Sequence, residues 1–570
     1  MATIVYSSGG IGGNWGDPRN WNGGRVPGMN DNVQILNGAS MTVGGPVAVN
    51  AIMIVRGGTD TFTGSVTTAG VGNCQGLMIC VGSTVVFAPG ASLHDGGDAA
   101  SLNGGGVIQV GVGGVGNLIA NGSNTLATTI TSNNGTIGVR SAGIGTATID
   151  NATWTMNQVL TVGLAGQGTL NLEQQGQVNV GSGLLIGADS GSVGTISVSA
   201  GGKLNVNGSA LVGGNTGSVG ILNVASGSEV TIGASLYLAK NTGASGAMTI
   251  SSGSAVTVAS DAGIGSGTVT SPLGTGNLTI NAGSTFAVGN RISADGGGTI
   301  HVAGGAVSAG SIYVGMTGAG TLNVDAGSHI NLGQFFTMGF DTGASGTATL
   351  FSGSTMTVNG SALIGGGNTA SSLGTGNLTV EGTATFSAQG ALSVSNGSFV
   401  DLAGGTVSAA IASGNVTVAA GGQIAGYGTL ATRAGGFFID NGKVVANGGT
   451  LQLDGKVSGT GSVIINPDST VAITGTSLLM PTLTFMSGTN ETLSLATAAT
   501  VQSTIGGFAI GDQIEMAGID KAVWSSAADT LTLSAAGRTI STLHLAGNYT
   551  RDVFSLTHTG SLGVITLHTA

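Results

Sequence analysis

The sequence predicts an all-β fold of the single-stranded parallel β-helix type (a β-solenoid) with three short strands per coil, and three observations predict it. Glycine contributes 110 of the 570 residues, while charged residues make up only 6%. Similar segments return along the chain with a 26-residue period. Within each segment apolar and polar side chains alternate, which is the period of a half-buried strand.

The composition argues against several other architectures. Glycine at this level would destabilise long helices by ~1 kcal/mol per residue. Collagen requires abundant proline, and this chain has only 7 prolines. Ordinary disorder requires low hydrophobicity and high charge, whereas 41% of these residues are hydrophobic. An all-β chain with many tight turns remains.

The repeat is clearest in four segments that each begin with glycine. They are GTLNL at Gly168, GTISV at Gly194, GILNV at Gly220 and GAMTI at Gly246. Each segment begins 26 residues after the one before it. The series continues with related segments at Gly276, Gly320, Gly346 and Gly376. A regular return of this kind predicts that each strand lies over its copy in the next coil.

Alternation inside one repeat predicts which side chains face the core. In the repeat that starts at Gly168, we expect these side chains to point inward: Leu170, Leu172, Val178, Val180 and Ile186. The polar residues between them, Asn171 and Asn179, should point outward. Glycine suits the corners, where tight bends require a positive φ. Since only a neighbouring coil can satisfy the backbone groups of each coil, we expect a stiff stack of coils, wound right-handed.

The chain divides into five parts by pattern. Residues 1–50 form an N-terminal cap with the first strands, 51–144 irregular coils, and 145–410 the regular 26-residue repeat. Irregular coils follow over 411–480, and 481–570 form a C-terminal β cap and secretion region. In the first part, Trp15 and Trp21 are interpreted as bulky residues that seal the open end of the solenoid; the alternative is that they stack on sugar rings.

Charge and targeting signals restrict the function. A net charge of −11 disfavours nucleic acid as a partner. No apolar run approaches the ~18 residues of a membrane-spanning helix, and the start MATIVYSSGGIGGNWGD has no Sec signal pattern. Cys74 and Cys80 fit either a small disulfide loop or two buried thiols.

The sequence contains few residues in arrangements that could support catalysis. Between residues 141 and 432 charged residues are few, and no two acids stack in the manner of a glycosidase or lyase. Lys203 and Glu229 should lie one coil apart as a surface ion pair. No catalytic or cofactor-binding residue is therefore predicted. Asp512, Glu515 and Asp520 are candidate Ca²⁺ ligands, the alternative being ordinary turn and edge carboxylates.

The central repeat, of the form G-T-L-x-V-x-x-G-S-x-V-x-V-G-x-x-L-x-V-G, resembles the passenger regions of bacterial autotransporters and other large repetitive secreted proteins of Gram-negative bacteria. The opening pattern of Trp15, Trp21, Pro27 and Asp31 is similar to the start of such passengers.

The C-terminal segment F-x-x-G-D-x-I-E, from Phe508 to Glu515, resembles the tail of type I secreted proteins. These resemblances imply export without an N-terminal Sec signal to the cell surface or medium. The sequence shows neither the strand pattern of a translocator barrel nor calcium-binding GGxGxDxxx repeats, so we expect a type I-like route of export.

Together these observations favour a non-enzymatic extracellular β-solenoid, an adhesive or structural component of a surface layer, filament or biofilm matrix. Its expected partners are other copies of itself, cell-surface polysaccharide, or both. The alternatives are a polysaccharide lyase or hydrolase on the same scaffold, and a phage fibre or an ice-binding protein.

Overall fold

The computed structural model describes residues 2–6, 13–36, 40–55, 57–69, 76–95, 106–265, 274–366, 374–409, 415–433, 436–475, 482–496 and 501–570. Over these residues the chain is built of β-strands, with one short 3-10 turn at Pro18–Asn20. The chain separates into two compact units, the first Met1–His301 with Gly305–Val307 and the second Val302–Gly304 with Ser308–Ala570.

The strands before the regular repeat are β1 (Thr3–Tyr6), β2 (Asn32–Ile35), β3 (Thr42–Val43), β4 (Val47–Val49), β5 (Ala51–Ile54), β6 (Thr59–Phe62), β7 (Ser65–Thr68), β8 (Leu77–Cys80), β9 (Ser83–Phe87), β10 (Ser92–Asp95), β11 (Val107–Val112), β12 (Val115–Asn121), β13 (Thr128–Ser132) and β14 (Asn134–Ile137). The strands of the regular repeat in the first unit are β15 (Ile144–Asp150), β16 (Ala152–Met156), β17 (Leu160–Val162), β18 (Gln167–Glu173), β19 (Gln177–Val180), β20 (Leu184–Ile186), β21 (Val193–Val198), β22 (Lys203–Val206), β23 (Ala210–Val212), β24 (Val219–Val224), β25 (Glu229–Ile232), β26 (Leu236–Leu238), β27 (Ser245–Ile250), β28 (Ala255–Val258), β29 (Ala262–Ile264), β30 (Thr275–Asn281) and β31 (Thr285–Ala294).

The division between the units falls within β32 (Gly298–Ala303) and β33 (Ala306–Val314). The second unit continues with β34 (Ala319–Val324), β35 (His329–Met338), β36 (Ser345–Leu350), β37 (Thr355–Val358), β38 (Ala362–Ile364), β39 (Thr375–Glu381), β40 (Thr385–Ala388), β41 (Leu392–Val394), β42 (Phe399–Ala409), β43 (Val416–Val418), β44 (Gln423–Thr432), β45 (Phe437–Asp440), β46 (Lys443–Asp454), β47 (Lys456–Ser458), β48 (Ser462–Ile465), β49 (Thr470–Ile473), β50 (Thr482–Phe485), β51 (Thr492–Leu495), β52 (Thr504–Gly506) and β53 (Gln513–Ala517). The last five strands are β54 (Lys521–Ser525), β55 (Thr530–Ala535), β56 (Arg538–Ala546), β57 (Asp552–Thr559) and β58 (Leu562–Thr569).

From β2 to β28, each strand pairs in parallel with the third strand after it. Strands β18, β21, β24 and β27 form one ladder, and the strands after each of them form two more. Gly168 pairs with Gly194, Gly194 with Gly220, and Gly220 with Gly246. The predicted 26-residue coil of three strands, stacked in register, is confirmed. The right-handed winding stays a prediction.

The core consists of columns of apolar side chains that run from coil to coil. Leu170, Ile196, Leu222 and Met248 occupy one column and are at most 1% exposed. The inward positions predicted for the other two strands are buried in the same way, as at Val178 and Ile186. Burying a Val, Leu or Ile side chain stabilises a fold by roughly 1.5–3 kcal/mol, so each coil contributes through several such residues.

Glycine is required at the first position of the repeat because the backbone of neighbouring coils approaches closely there. A Cβ on Gly220 would lie 2.5 Å from the carbonyl oxygen of Ile186 and against the amide nitrogen of Gly213. Both contacts are with backbone atoms, which cannot rotate away as a side chain would.

The second unit begins with the same stacking and then changes. Strands β34, β36 and β39 pair in parallel and in register, as β18, β21 and β24 do. The coils then shorten, because Leu378 pairs with Val400 and Ile424 with Val444, partners that lie closer in sequence than those of the regular repeat. The long strands β42, β44 and β46 continue around a corner of the coil, where residues are skipped and the pairing shifts register.

The parallel ladder ends near the C-terminus. Strand β53 pairs in parallel with β51 on one side and in antiparallel orientation with β58 on the other. Strands β54, β55 and β56 form an antiparallel meander, and β57 forms a hairpin with β58. Strand β56 also pairs in parallel with β52, so this end of the second unit joins an antiparallel structure to the last coils.

We predict that Gly220→Ala lowers the free energy of unfolding by ~2 kcal/mol, because the added methyl group must displace backbone of the preceding coil. The measurement is urea unfolding followed by circular dichroism. Gly183→Ala is the matched control, because its new methyl group would meet only the oxygen of Ser209, at 3.5 Å. Equal effects of the two substitutions would contradict the role assigned to Gly220.

Candidate functional site

The two N-terminal tryptophans lie inside the first unit. Trp15 is 4% exposed and Trp21 2% exposed, and their rings meet edge to face with centroids 4.8 Å apart. The Trp21 Nε1 donates a 2.9 Å hydrogen bond to the backbone oxygen of Trp15, and Tyr6 packs against the Trp21 ring. Stacking on a sugar needs an exposed ring face, which buried rings do not offer. Both rings therefore pack inside the fold, and their role in sealing the end of the solenoid stays a prediction.

The cysteine pair is seen only in part. Cys80 ends β8, is buried, and has a thiol whose pKa is raised by burial, an effect opposed by Arg140. Cys74 lies outside the described residues, so the choice between a disulfide and two thiols stays open.

The three candidate Ca²⁺ ligands occupy different surroundings. Asp512 is 1% exposed, Glu515 lies half-buried on β53, and Asp520 is exposed and accepts a 2.7 Å hydrogen bond from the amide of Ala536. Among the described residues, no group of three or more His, Cys, Asp or Glu side chains is placed to hold a metal ion.

Asp512 instead faces Glu491, a residue that the sequence pattern did not single out. The two precede the paired residues Thr492 and Gln513 and so lie one coil apart. Glu491 is 0% exposed, and neither of its carboxylate oxygens has a hydrogen-bond donor. Burial first, and then the contact with Glu491, raise the pKa of Asp512 to about 7, although the amide of Ala509 donates to it. The neighbouring carboxylate therefore favours the protonated form of Asp512.

Three further aspartates point into the core at positions where an apolar residue would be expected. Burial raises the pKa of Asp60 to about 7, although the amide of Met41 donates a 2.9 Å hydrogen bond to it. Burial likewise raises the pKa of Asp95 and of Asp440 to about 6. The Thr68 hydroxyl donates to Asp95 at 2.7 Å. These groups are placed to be neutral at mildly acid pH.

We predict that the protein is more stable at pH 5 than at pH 8. The Asp60 carboxyl has a folded-state pKa near 7 and an unfolded value of 3.8, so its stabilising contribution is complete below pH 4 and is lost as pH rises through 7. Asp60→Asn should reduce the pH 5 to pH 8 difference in free energy of unfolding by about 2–3 kcal/mol.

The measurement is urea unfolding at both pH values. Asp189→Asn is the control, since Asp189 is exposed on a turn of the same unit. A wild-type stability that is constant or rises with pH would contradict the burial of a neutral Asp60.

The outer surface of the regular coils carries an uncharged ladder of amides, here called the amide wall: Thr155, Asn157, Asn179, Asn205 and Asn207. The Asn205 Nδ2 donates to Asn179 Oδ1 at 2.9 Å, and the Asn179 Nδ2 donates to the Thr155 hydroxyl at 3.2 Å. Gly181 lies between Asn157 and Asn207, in the middle coil of three, and leaves an open concavity of about 670 Å³. Such a surface offers both donors and acceptors and no formal charge.

The predicted ion pair joins Lys203 of β22, the strand that carries Asn205, to Glu229 of β25 in the next coil. Lys203 Nζ is 2.9 Å from Glu229 Oε2, and both side chains are exposed. The stacking of these residues one coil apart is confirmed, and an exposed pair of this kind adds little to stability.

The fold and its surface define a β-solenoid repeat protein. Neither models of known protein families nor curated proteins match the sequence. Within the described ranges, no helix has the length and apolar character needed to cross a membrane.

Proposed function

We propose that this chain is an extracellular structural or adhesive β-solenoid, a component of a cell surface, filament or biofilm matrix. Its partners are other copies of itself, surface polysaccharide, or both. The amide wall is the observation that carries the proposal, because it repeats a hydrogen-bonding surface from coil to coil.

Repetition explains how such a surface can bind. One amide hydrogen bond contributes only ~1 kcal/mol net in water. When the same groups recur on successive coils, a chain-like or repeating partner meets many of them at once, and the second and later contacts form at high effective concentration. A hydroxyl-rich polysaccharide and a second amide wall both offer complementary donors and acceptors.

Low charge supports self-association. Charged side chains are a common protection of β proteins against unwanted lateral contact. This chain has only 13 basic and 24 acidic side chains, which give it less of that protection than its size would suggest.

We predict that the protein is recovered from the medium or the outer surface of the cells that produce it. The measurement is fractionation with an antibody, combined with negative-stain imaging of the purified chain. Filaments or sheets would indicate assembly, and isolated particles that bind cells would indicate adhesion. Confinement to the cytoplasm would contradict the proposal, and so would release of oligosaccharides from polysaccharide by the purified chain.

We predict that Asn179→Asp combined with Asn205→Asp weakens assembly or cell binding about tenfold or more, because two stacked charges replace the neutral ladder. The measurement is sedimentation of assemblies or retention on cells. The matched control is Asn171→Asp with Ser197→Asp, which places the same charges on paired residues of β18 and β21. If both double variants lost assembly or cell binding to the same extent, the role proposed for the amide wall would be contradicted.

A further inference from the structure

A second surface stands out on the second unit, at the corner where β42, β44 and β46 bend. The sequence at this corner reads Ala-Gly-Gly-Thr at 403–406, Ala-Gly-Tyr-Gly-Thr at 425–429 and Ala-Asn-Gly-Gly-Thr at 446–450. The middle coil carries Tyr427, which pairs with Ala403 and lies close to glycines of both neighbouring coils. Tyr427 is 41% exposed.

The Tyr427 ring lies across the glycines of both neighbouring coils. A methyl group on Gly449 would be 3.1 Å from Tyr427 Cγ, and one on Gly404 would be 3.4 Å from Cε2. The ring thus lies on exposed backbone of the coils before and after its own. Side chains at those two glycines would occupy the space that the ring fills. Gly404 has φ +102° and Gly426 +109°, so larger residues would be strained there.

Two carboxylates lie on the same outward face, Asp401 one coil before Tyr427 and Glu381 two coils before it. Asp401 pairs with Thr379 and with Ala425, and Glu381 is two residues beyond Thr379. One coil and two residues separate Glu381 from Asp401, which corresponds to about 8 Å between Cα atoms. The Asp401 carboxylate leans over the next coil, with Oδ1 3.2 Å from where a Cβ of Gly426 would be.

Small residues leave room between these groups. Ala403 lies in the column between Glu381 and Tyr427, and Ala425 lies below Asp401. In the part of the chain that the structure describes, the side chains of Asp401, Glu381 and Tyr427 make no hydrogen bond or ion pair. Burial raises the pKa of Asp401, as expected for a half-buried carboxyl without a donor.

We propose that the surface formed by Tyr427, Asp401 and Glu381 binds a neutral polysaccharide, with one hexopyranose ring stacked on the Tyr427 ring and its hydroxyl groups donating hydrogen bonds to the two carboxylates. The inference deepens the proposed function and rests on it, since it gives the adhesive surface a ligand class.

The chemistry of the site matches a neutral sugar better than other ligands. The face of an aromatic ring carries partial negative charge and attracts the polarised C–H groups of a pyranose. Carboxylates accept strong hydrogen bonds from hydroxyl groups. The same carboxylates repel phosphates, sulfates and uronic acids, which makes a polyanion a poor ligand.

The next coils extend the surface in the direction a polymer would follow. Asn447 follows Ala446, the partner of Gly426, and Asn466 Nδ2 donates to Asn447 Oδ1 at 3.3 Å. Amides on two successive coils can each hydrogen-bond a further sugar unit. A chain-like ligand therefore meets a ring platform, two acceptors and an amide pair along one line of the solenoid.

The test is affinity electrophoresis of the purified full chain in native gels that contain hydroxyethyl cellulose, barley β-glucan, galactomannan or, as the anionic comparison, alginate. We expect at least one neutral polymer to retard the wild type and alginate not to. Tyr427→Ala should weaken binding about tenfold or more, while Tyr427→Phe, which keeps the ring, should bind within about twofold of wild type. Asp401→Asn should weaken binding less than Tyr427→Ala.

Phe335→Ala is the matched control, since Phe335 is an aromatic residue of the same unit and is 48% exposed. Unchanged circular dichroism establishes that the variants fold. The proposal is overturned if no neutral polymer retards the wild type, if Tyr427→Ala binds like wild type, or if Phe335→Ala loses as much. Binding by a protein found only inside cells would overturn the proposed function and leave this site standing. A protein that is secreted but binds no neutral polymer would overturn this site and leave the proposed function standing.

Discussion

The hydrogen bonds between the backbones of successive coils are the constraint on which the rest of this structure depends. A coil leaves rows of N–H and C=O groups on both of its edges. If these groups were buried without hydrogen-bond partners, the free-energy penalty would exceed the stabilisation from the buried side chains. In the regular repeat the Val219 amide bonds to the oxygen of Ser192, and the Ser245 amide to that of Ser218, each at 2.9 Å. Equal coil length, inward alternation and glycine at close approaches all serve this ladder.

Because backbone hydrogen bonds hold successive coils together, the outward side chains are not needed for stacking. Most of them hold Ser, Thr, Asn or Gly, and the places that depart from this pattern are where the chain has specialised. Tyr427 places an aromatic ring over glycines of both neighbouring coils, and the amide wall joins side chains of three coils. Inside, Asp60 pairs with the aliphatic Val85, and the Asp512–Glu491 pair puts carboxyl groups at a position where other coils bury serine, such as Ser254 and Ser469. Uniform surroundings make such exceptions easy to recognise once the register is known.

The sequence was sufficient for the regular coils and insufficient where coil length varies. Between Gly168 and Gly246 the 26-residue period equals the structural register, so inward residues such as Leu222 and the contact of Lys203 with Glu229 could be read directly from the spacing. Beyond Gly376 shorter coils of unequal length replace that period. The proximity of Asp401 to Glu381, and of Asp512 to Glu491, depends on those lengths and could not be obtained without the pairing. Burial of Trp15 and Trp21 likewise depends on how the cap folds back, which composition alone does not specify.

The shared register of β18, β21 and β24 makes a coil an exchangeable part. Removal of residues 194–219 would place Gly220 over Gly168, with the same backbone partners and the same kinds of neighbouring side chains. Unequal recombination between such repeats in the gene would therefore shorten or lengthen the protein by whole coils and leave its cross-section unaltered. The number of outward amide and hydroxyl groups could then change by copying, in steps of one coil.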